Sequence, residues 1–374
     1  MDTIVRGVKR ACSAGLDSLS LRRELARRLA PVLGFDGHAF STCDPDTGLT
    51  THTLAEGVPA ALGRAYVERI YPEVSARLSM DMARSGQTVY SLIEQSAAAR
   101  EEFGAVGLRD QVGASLTAEG HVYGTWCLMW ERGDSRTMQR ARMLLRQIVP
   151  HLVRGMRCAT LVDRGLSAHD AAAANSPGIL VLDARNRPTV RTPVAERWLA
   201  DLCDEGFRPA DQLPLSVLGL VARVRNAPVD VVAEMSVRVR GRSGRWYVMI
   251  ASIAMPDVNG DAATVVVVRP AGPREMAPIL TTLYALSARE REVIAAVARG
   301  ETTKEIAASL GLSPHTVAEH IERACRKIGV RGRKALVAKI FVDGYAPRVV
   351  AGMAPDPPAR QDAIALRPSA TSPA

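Results

Sequence analysis

Charged and hydroxyl side chains recur at helical spacing in residues 313–327, near the carboxyl end of the chain. His315, Glu319, Glu322 and Arg326 are four, three and four positions apart, which places them on one face of a helix. Cations on such a face bond phosphate oxygens, whereas hydroxyl and carboxylate groups bond base edges. The pattern therefore indicates recognition of a polyanion rather than a bond-making step.

The opposite side of the same helix explains how this face is held outward. Val317, Ile321, Ala324 and Ile328 recur at intervals of four, three and four, so they form one apolar stripe. We expect a helix that is anchored on one side and exposed on the other. Such a helix can enter a major groove roughly 12 Å wide.

Capping residues mark where this helix and its neighbours begin. Ser287 with Glu290, and Thr302 with Glu305, have the spacing of capping boxes, in which the hydroxyl and the carboxylate each bond a free backbone N–H. Ser313 is the expected N-cap of the next helix. The sequence therefore predicts helices that begin at these three places.

Small residues end the helices and shape the turn between the second and the third. Gly300 and Gly311 can adopt the left-handed conformation that a helix end requires. Ala307 and Gly311 are predicted to let two helices approach closely, as in a helix-turn-helix. The predicted helix-turn-helix core comprises Ile306, Ala307, Leu310, Gly311, Val317 and Ile321.

This segment resembles the LuxR family of bacterial regulators. The resemblance implies an all-α, four-helix DNA-binding unit over residues 280–345, and a sequence-specific transcription regulator that binds double-stranded DNA as a homodimer. Thr303 stands where family members often have Asn, and recognition positions that are often basic are Ala318, Glu319 and Glu322 here, so no particular target sequence is implied. The matching residues are Leu286, Arg289, Glu290, Glu292, Val293, Gly300, Lys304, Glu305, Ile306, Ala307, Ser313, Thr316, Val317, His320, residues 327–330 and Arg333.

Ten residues are predicted to contact DNA. Three cations are the phosphate candidates, and His315 and Thr316 at the helix start are the base-edge candidates. Glu319 and Glu322 either accept from a cytosine amino group or pair with neighbouring arginines on a solvated face. His320, at the edge of the apolar stripe, is expected to pack. The contact set comprises Lys304, Ser313, His315, Thr316, Ala318, Glu319, Glu322, Arg323, Arg326 and Lys327, of which Lys304, Arg323 and Lys327 are the phosphate candidates.

A fourth helix over about 332–342 presents Leu336, Val337 and Ile340. In the LuxR family a helix at this place pairs with its twin in a DNA-bound dimer. An ordinary core face explains the same three residues. The sequence leaves both alternatives open.

The residues in front of this unit predict a multidomain α+β protein. Residues 1–165 show helix, strands, helices, a β-hairpin and a long helix, and resemble a GAF-like α/β sensor domain. The predicted hairpin joins strands from Gln111 to Ala118 and from His121 to Trp130 through Glu119 and Gly120, and a turn is predicted from Asp44 to Gly48. Residues 176–270 resemble a PAS-like α/β sensor domain. Residues 346–374 are rich in Pro, Ala and Ser, which predicts a disordered tail.

Composition narrows the partners and the compartment. Residues 281–341 hold eleven Lys and Arg against six Asp and Glu, so +5 of the formal charge of +9 lies near the carboxyl end. The chain shows no signal peptide and no long apolar run, so we expect a cytoplasmic protein without a membrane partner. The six cysteines are expected to be reduced and mostly buried, and no metal or other cofactor is predicted.

The signal that the front half senses is not evident from the sequence. Trp126, Cys127, Met129 and Trp130 either line a cavity for a small-molecule effector or simply pack in the core, and packing is favoured. Isolated histidines at 38, 121 and 151 are expected to be core residues rather than haem ligands. No enzymatic motif is present. The leading hypothesis is a one-component sensor, and the alternative is a constitutive DNA-binding protein whose front domains only dimerise or bind protein partners. A sigma factor fits less well, because the upstream residues predict strands.

Overall fold

The computed structural model of the chain describes residues 2–162, 176–206, 213–227, 235–254, 263–272, 275–276, 279, 282–298 and 300–344. These ranges form two antiparallel five-stranded sheets with packed helices, followed by a helical unit. The mixed α and β content with an all-α end agrees with the sequence-based prediction. The predicted tail, residues 346–374, lies outside the described residues.

The first unit is a sheet with helices on both faces. Its elements are α1 (Asp2–Cys12), α2 (Ser18–Leu33), β1 (Gly37–Cys43), β2 (Thr50–Glu56), α3 (Ala60–Ala65), a π-helical segment (Tyr66–Ser75), α4 (Ala76–Ser85), β3 (Val89–Tyr90), α5 (Leu92–Gln95), α6 (Ala97–Ala105), β4 (Asp110–Ala118), β5 (His121–Trp130) and α7 (Ser135–Val162). The strands are arranged in the order β2-β1-β5-β4-β3.

Local sequence signals account for several of these boundaries. The Asp17 carboxylate accepts the N–H groups of Leu19 and Ser20 and so begins α2, which ends where Gly34 adopts a φ of 59°. Glu119 and Gly120 have φ values of 54° and 79°, the left-handed pair that a tight hairpin needs. The predicted hairpin between β4 and β5 is confirmed.

The four residues considered for a cavity in the first unit pack on opposite faces of its sheet. Trp126 and Trp130 are buried against the layer of α1, α2 and α7, and the Trp126 ring stacks on Phe40 at 4.5 Å. Cys127 and Met129 contact the helices on the other face. The alternation of side chains along a strand separates the two pairs, so they do not share one cavity.

The histidines and cysteines take part in local packing. His38 Nε2 lies 3.4 Å from Glu56 Oε2, and His121 Nδ1 lies 3.4 Å from Asp46 Oδ1. All six cysteines are free thiols, and Cys158 alone is exposed. In the part of the chain that the structure describes, no group of three His, Cys, Asp or Glu could hold a metal ion. Within the same ranges, no helix is long and apolar enough to cross a bilayer.

The second unit is a sheet with helices on its inner face. Its strands run in the order β7-β6-β10-β9-β8, so the two sheets have the same order when each is numbered from its own first strand. Its elements are β6 (Gly178–Leu182), β7 (Pro188–Arg191), α8 (Pro193–Asp201), α9 (Leu215–Arg225), β8 (Met235–Arg240), β9 (Trp246–Ile253) and β10 (Thr264–Pro270).

A buried ion pair joins the two sheet units. The Asp44 side chain is fully buried and accepts bonds from the backbone N–H of Arg238 at 2.8 Å and from its guanidinium at 3.0 Å. The same guanidinium pairs with Asp46 at 2.7 Å. Because these carboxylates begin the turn between β1 and β2 while Arg238 lies on β8, the bonds fix one unit against the other.

Backbone pairing extends this interface along β2, the edge strand of the first sheet. The Ala55 N–H donates to the Glu205 carbonyl at 2.8 Å, and the Glu205 N–H donates to the Thr53 carbonyl at 2.9 Å. The second unit thereby covers an edge that would otherwise present unpaired backbone groups.

The segment that leads to the helical unit packs on the first unit. Met276, Ile279 and Leu283 are buried in the core formed with α1, α2 and α7. Arg157 on α7 donates to the carbonyls of Thr282, at 2.9 Å, and Leu283, at 3.2 Å. The helical unit is therefore attached at the carboxyl-terminal half of α7.

Candidate nucleic-acid interface

Four helices form the carboxyl-terminal unit: α10 (Ala288–Ala298), α11 (Thr303–Leu310), α12 (Pro314–Ile328) and α13 (Gly332–Gly344). Both predicted capping boxes are present. The Ser287 N–H donates to Glu290 at 2.7 Å, and the Glu290 N–H donates to the Ser287 hydroxyl at 3.2 Å. Thr302 and Glu305 make the same reciprocal pair. The predicted beginnings of the first two helices are confirmed.

The turn between α11 and α12 is closed by Gly311, which has a φ of 64° and donates its N–H to the Ala307 carbonyl. A Cβ built at Gly311 would meet no atom within 4 Å. The prediction that Gly311 permits a close approach of two helices is therefore wrong. Its role is conformational, because side-chain-bearing residues rarely adopt this backbone angle.

The apolar stripe of α12 lies in the core of the unit. Val317, Ala324 and Ile328 are buried, and Ile321 packs partly buried against them. Other residues of the predicted core are also buried or partly buried. Ile306 and Ala307 are buried and Leu310 is partly buried. With α12 anchored on this side, its other side faces outward.

Paired charges cover the outward side of α12. His315 is the most exposed residue of this group, with 86% of its side chain accessible, and its ring lies 3.5 Å from Glu319. Glu319 also pairs with Arg323 at 3.0 Å. Glu322 pairs with Arg326 at 3.5 Å. The members of each pair lie one turn apart and are at least partly exposed, so a phosphate can replace the carboxylates beside His315, Arg323 and Arg326 at little cost.

The start of α12 is defined by Ser313. Its hydroxyl accepts the Thr316 N–H at 3.1 Å and lies 2.9 Å from the Thr316 hydroxyl. Pro314 occupies the first helical position, where no N–H is needed. The cap fixes the direction of α12, and His315 and Ala318 are exposed beside it.

Residues 284–340 match the model of a protein family described as "Bacterial regulatory proteins, luxR family". The spore germination protein GerE of Bacillus subtilis is 46% identical over 56 residues, which span 15% of this chain and 76% of GerE. The chain belongs to the luxR family of bacterial regulatory proteins. It is a DNA-binding transcriptional regulator, and its relatives of this family are regulators rather than enzymes.

Other relatives share mainly the same carboxyl-terminal unit. The probable transcriptional regulatory protein NarL of Mycobacterium tuberculosis is 48% identical over 54 residues, which are 14% of this chain and 25% of NarL. The transcriptional regulatory protein UhpA of Salmonella typhimurium is 32% identical over 145 residues, 37% of this chain and 69% of UhpA.

Solved structures overlap the chain weakly. A Vibrio cholerae VqmA complex with ligand and DNA covers 46% of this chain and 84% of that chain, at 15% identity and a TM-score of 0.24. The Escherichia coli DhaR(N)–DhaL complex covers 72% of this chain and 89% of that chain, also at 15% identity and a TM-score of 0.24. Overlaps of this size do not establish a shared arrangement of the units.

On the fourth helix, the three residues predicted to contact a second luxR-type unit are not all accessible. Leu336 is fully buried in the core of the unit, so it cannot contact a twin helix. Val337 is 37% exposed. The side chain of Ile340 lies outside the described part of the structure. Of the three predicted dimer residues, Leu336 is a core residue and Val337 alone is seen to be accessible.

Lys327 is exposed but bonded to other residues of the luxR-type unit. Its ammonium donates to Glu290 at 2.6 Å and to the Ala285 carbonyl at 2.8 Å. Glu290 is almost completely buried and also serves the capping box. These bonds join α12 to the beginning of α10. Sequence reasoning missed this contact because 37 positions separate the partners, and no local pattern connects them.

The Glu290 contact predicts a pH dependence of this unit. Burial raises the pKa of Glu290, but bonds from Lys327 and Ser287 outweigh it and hold the pKa below its ordinary value of 4.5. A depressed pKa stabilises the fold above the ordinary value, and this stabilisation is lost as the pH falls through the folded value. We expect hydrogen-exchange protection of α10, corrected for intrinsic rates, to decrease below about pH 4.5.

The Glu290→Gln variant provides the comparison, because it cannot titrate. Its protection is expected to be lower at neutral pH and to vary less in acid than that of the wild type. Equal acid sensitivity in the two proteins would contradict the assignment of the titration to Glu290.

Two residues that were singled out in the sequence remain to be placed, Lys304 and His320. Lys304 is exposed at the start of α11, and no described residue bonds its ammonium. His320 is partly buried, and its Nδ1 has no partner among the described residues. Lys304 is therefore free to meet an anion, whereas His320 lies at the border of the core.

Proposed function

We propose that the chain recognises DNA through the outward side of α12 and that its two sheet units bias the orientation of this helix. The exposed side of α12, opposite a fully buried Val317, is the observation that carries the first part. The hydrogen bonds from Arg157 to the segment before α10 support the second part. In this arrangement a change in the first unit reaches the helical unit through a few backbone bonds.

The predicted contact residues divide into base-edge and phosphate groups. His315, Thr316 and Ala318 lie in the first turns of α12, where a recognition helix meets base edges. Glu319 sits one turn further and is the candidate for accepting a cytosine amino group. Arg323 and Arg326 extend along the same side toward the phosphates, while Glu322 pairs with Arg326. Ser313 contributes its backbone and the cap rather than its hydroxyl, which is already bonded.

The phosphate role predicted for Lys327 is revised to a structural one. Its ammonium already donates to Glu290 and to the Ala285 carbonyl, so two of its three N–H donors are used and its charge is paired with a carboxylate. Lys304 takes its place as the principal phosphate contact. Its flexible cation lies at the amino-terminal end of α11, where the helix dipole also favours an anion.

Lys304→Ala is expected to weaken binding to all duplex sequences alike and to reduce the slope of log K against log salt by about one unit. The slope counts released counterions, so the loss of one phosphate contact changes it by a fixed amount. Fluorescence anisotropy with labelled duplexes at several salt concentrations measures it. Arg64→Ala removes the same charge from α3 and should leave the slope unchanged.

Glu319→Ala is the matched test of base readout. Because it removes an acceptor and no cation, it is expected to relax the choice at one base position while leaving the salt slope near the wild-type value. Sites selected from a random duplex pool report this choice. An unchanged set of selected sites would remove Glu319 from the base-contacting residues.

The sheet units are proposed to be GAF-like and PAS-like sensor domains. Their common strand order and the helices packed on each sheet support this, although the same scaffold serves many functions. A small-molecule effector would act by binding with different affinity to two states of the protein that differ in the orientation of the α12 unit. DNA affinity that no candidate ligand changes would favour the alternative, a constitutive DNA-binding protein whose front units bind protein partners or a second copy. The homodimer is part of this proposal, with Val337 as its accessible residue.

A further inference from the structure

The longest helix among the described residues is unusually basic. Helix α7 contains six arginines and no acidic residue in 28 positions. Two of the six are engaged within the molecule, since Arg142 pairs with Glu94 and Arg157 bonds the segment before α10. The outer side of α7 therefore keeps a positive charge that no carboxylate of the described residues pairs with.

Helix α1 adds cations to the same surface. It packs along α7, where Cys12 lies against Gly155. We call the surface formed by the exposed cations of both helices the α1/α7 face. No described carboxylate pairs with any of them. The α1/α7 face comprises Arg6, Lys9, Arg10, Arg140, Arg146 and Arg154, all exposed.

The His151 ring reports how concentrated this charge is. Burial lowers the pKa of His151 first, and Lys9 on α1 and Arg154 on α7 lower it further. Cations from both helices therefore lie close enough to act on the same histidine ring. A second copy of the same face would meet like charges, so self-association through this surface is disfavoured.

The α1/α7 face adjoins the DNA-binding unit. Arg157, which bonds the carbonyls of Thr282 and Leu283, lies one helical turn beyond Arg154. From Arg140 to Arg154 the helix spans about 21 Å, at about 1.5 Å per residue. That length matches about six base pairs of duplex, which rises about 3.4 Å per pair.

We infer that the α1/α7 face is a second DNA-binding surface, which contacts the phosphate backbone of duplex flanking the site bound by α12. This inference rests on the proposed DNA contact of α12. The proposed contacts are sequence-independent, because exposed arginines and a lysine bond phosphate oxygens, which carry no sequence information. The face lengthens the bound duplex and increases the salt dependence of binding.

The test uses the full chain with Arg140, Arg146 and Arg154 all changed to Gln. The matched control changes Arg64, Arg100 and Arg109 to Gln, which removes the same charge from α3, from α6 and from the loop before β4. Fluorescence anisotropy is measured on a duplex of about one and a half turns and on one of about four turns, each turn being about 10 base pairs.

On the long duplex, the α7 variant is expected to lose about 2.7 units of the slope of log K against log salt, at about 0.9 per phosphate contact. On the short duplex its slope should match the wild type, and the control should match the wild type on both. An unchanged slope on the long duplex, or an equal loss in the control, would overturn the inference.

Two outcomes separate this inference from its alternatives. If the wild type fails to bind even the short duplex, the proposed function of α12 fails and the inference fails with it. If the α7 variant keeps the wild-type slope on long DNA but no longer sediments with phosphatidylserine vesicles, the face serves an anionic membrane surface and the inference is overturned.

Discussion

Val317→Asp is expected to unfold the carboxyl-terminal unit while the two sheet units stay folded. Val317 is completely buried between α12 and its neighbours. An unpaired carboxylate placed there costs several kcal/mol, which is comparable to the whole stability of a domain of this size. Hydrogen exchange of peptides from α10, α11 and α12 measures the loss, and DNA binding should disappear with it.

Ala318→Asp supplies the control for that variant. It adds the same charge at the neighbouring position, which is exposed. Its helices should keep wild-type protection even if its DNA affinity falls. A folded Val317→Asp protein would mean that the apolar side of α12 is not where the structure places it.

Arg238→Met is expected to separate the two sheet units. It leaves Asp44, which is fully buried, and Asp46 without their cation. Removal of one partner from a buried ion pair costs about 3–5 kcal/mol. We expect the shared urea transition of the two units to split or to shift to lower urea. The fluorescence of the four tryptophans follows it, since Trp126 and Trp130 lie in the first unit and Trp198 and Trp246 in the second.

The control for Arg238→Met is Arg185→Met, which removes an exposed cation from the same unit. Its urea transition should coincide with that of the wild type. If Arg238→Met and Arg185→Met unfold alike, the ion pair does not hold the interface, and the backbone pairing of Glu205 with β2 would have to do so alone.

The elements that the sequence predicts well are those whose causes are local. Ser287 and Glu290 sit three residues apart and make their capping box within one turn. Glu119 and Gly120 define the β4–β5 hairpin for the same reason. The predicted strand from His121 to Trp130 is confirmed at both ends.

The elements missed by the sequence are short, or depend on distant partners. Helix α1, the two-residue strand β3 and helix α9 were not predicted. Val89 and Tyr90 are strand residues only because β4 pairs with them. No periodicity can appear in two residues.

Distant contacts also explain why parts of the site were not predicted. Asp44 begins a turn, as its sequence suggests, but its second role is to bind Arg238, 194 positions away. The sequence favours Lys327 as a phosphate contact, but in the fold its ammonium donates to Glu290. Leu336 has the spacing of a dimer stripe, yet the fold places it in the core. In each case the side chain has two physically reasonable partners, and only the fold selects one.

The most direct test of the account is the DNA affinity of a full-length His315→Glu, Thr316→Glu variant. Glutamate at position 316 can form a capping box with Ser313, and both substitutions favour the start of a helix, so the fold of α12 is preserved. Anisotropy on a duplex at low salt is expected to show binding weakened by about tenfold or more, since each lost base contact is worth about 1–3 kcal/mol. Wild-type affinity in this variant would contradict the claim that the outward side of α12 binds DNA.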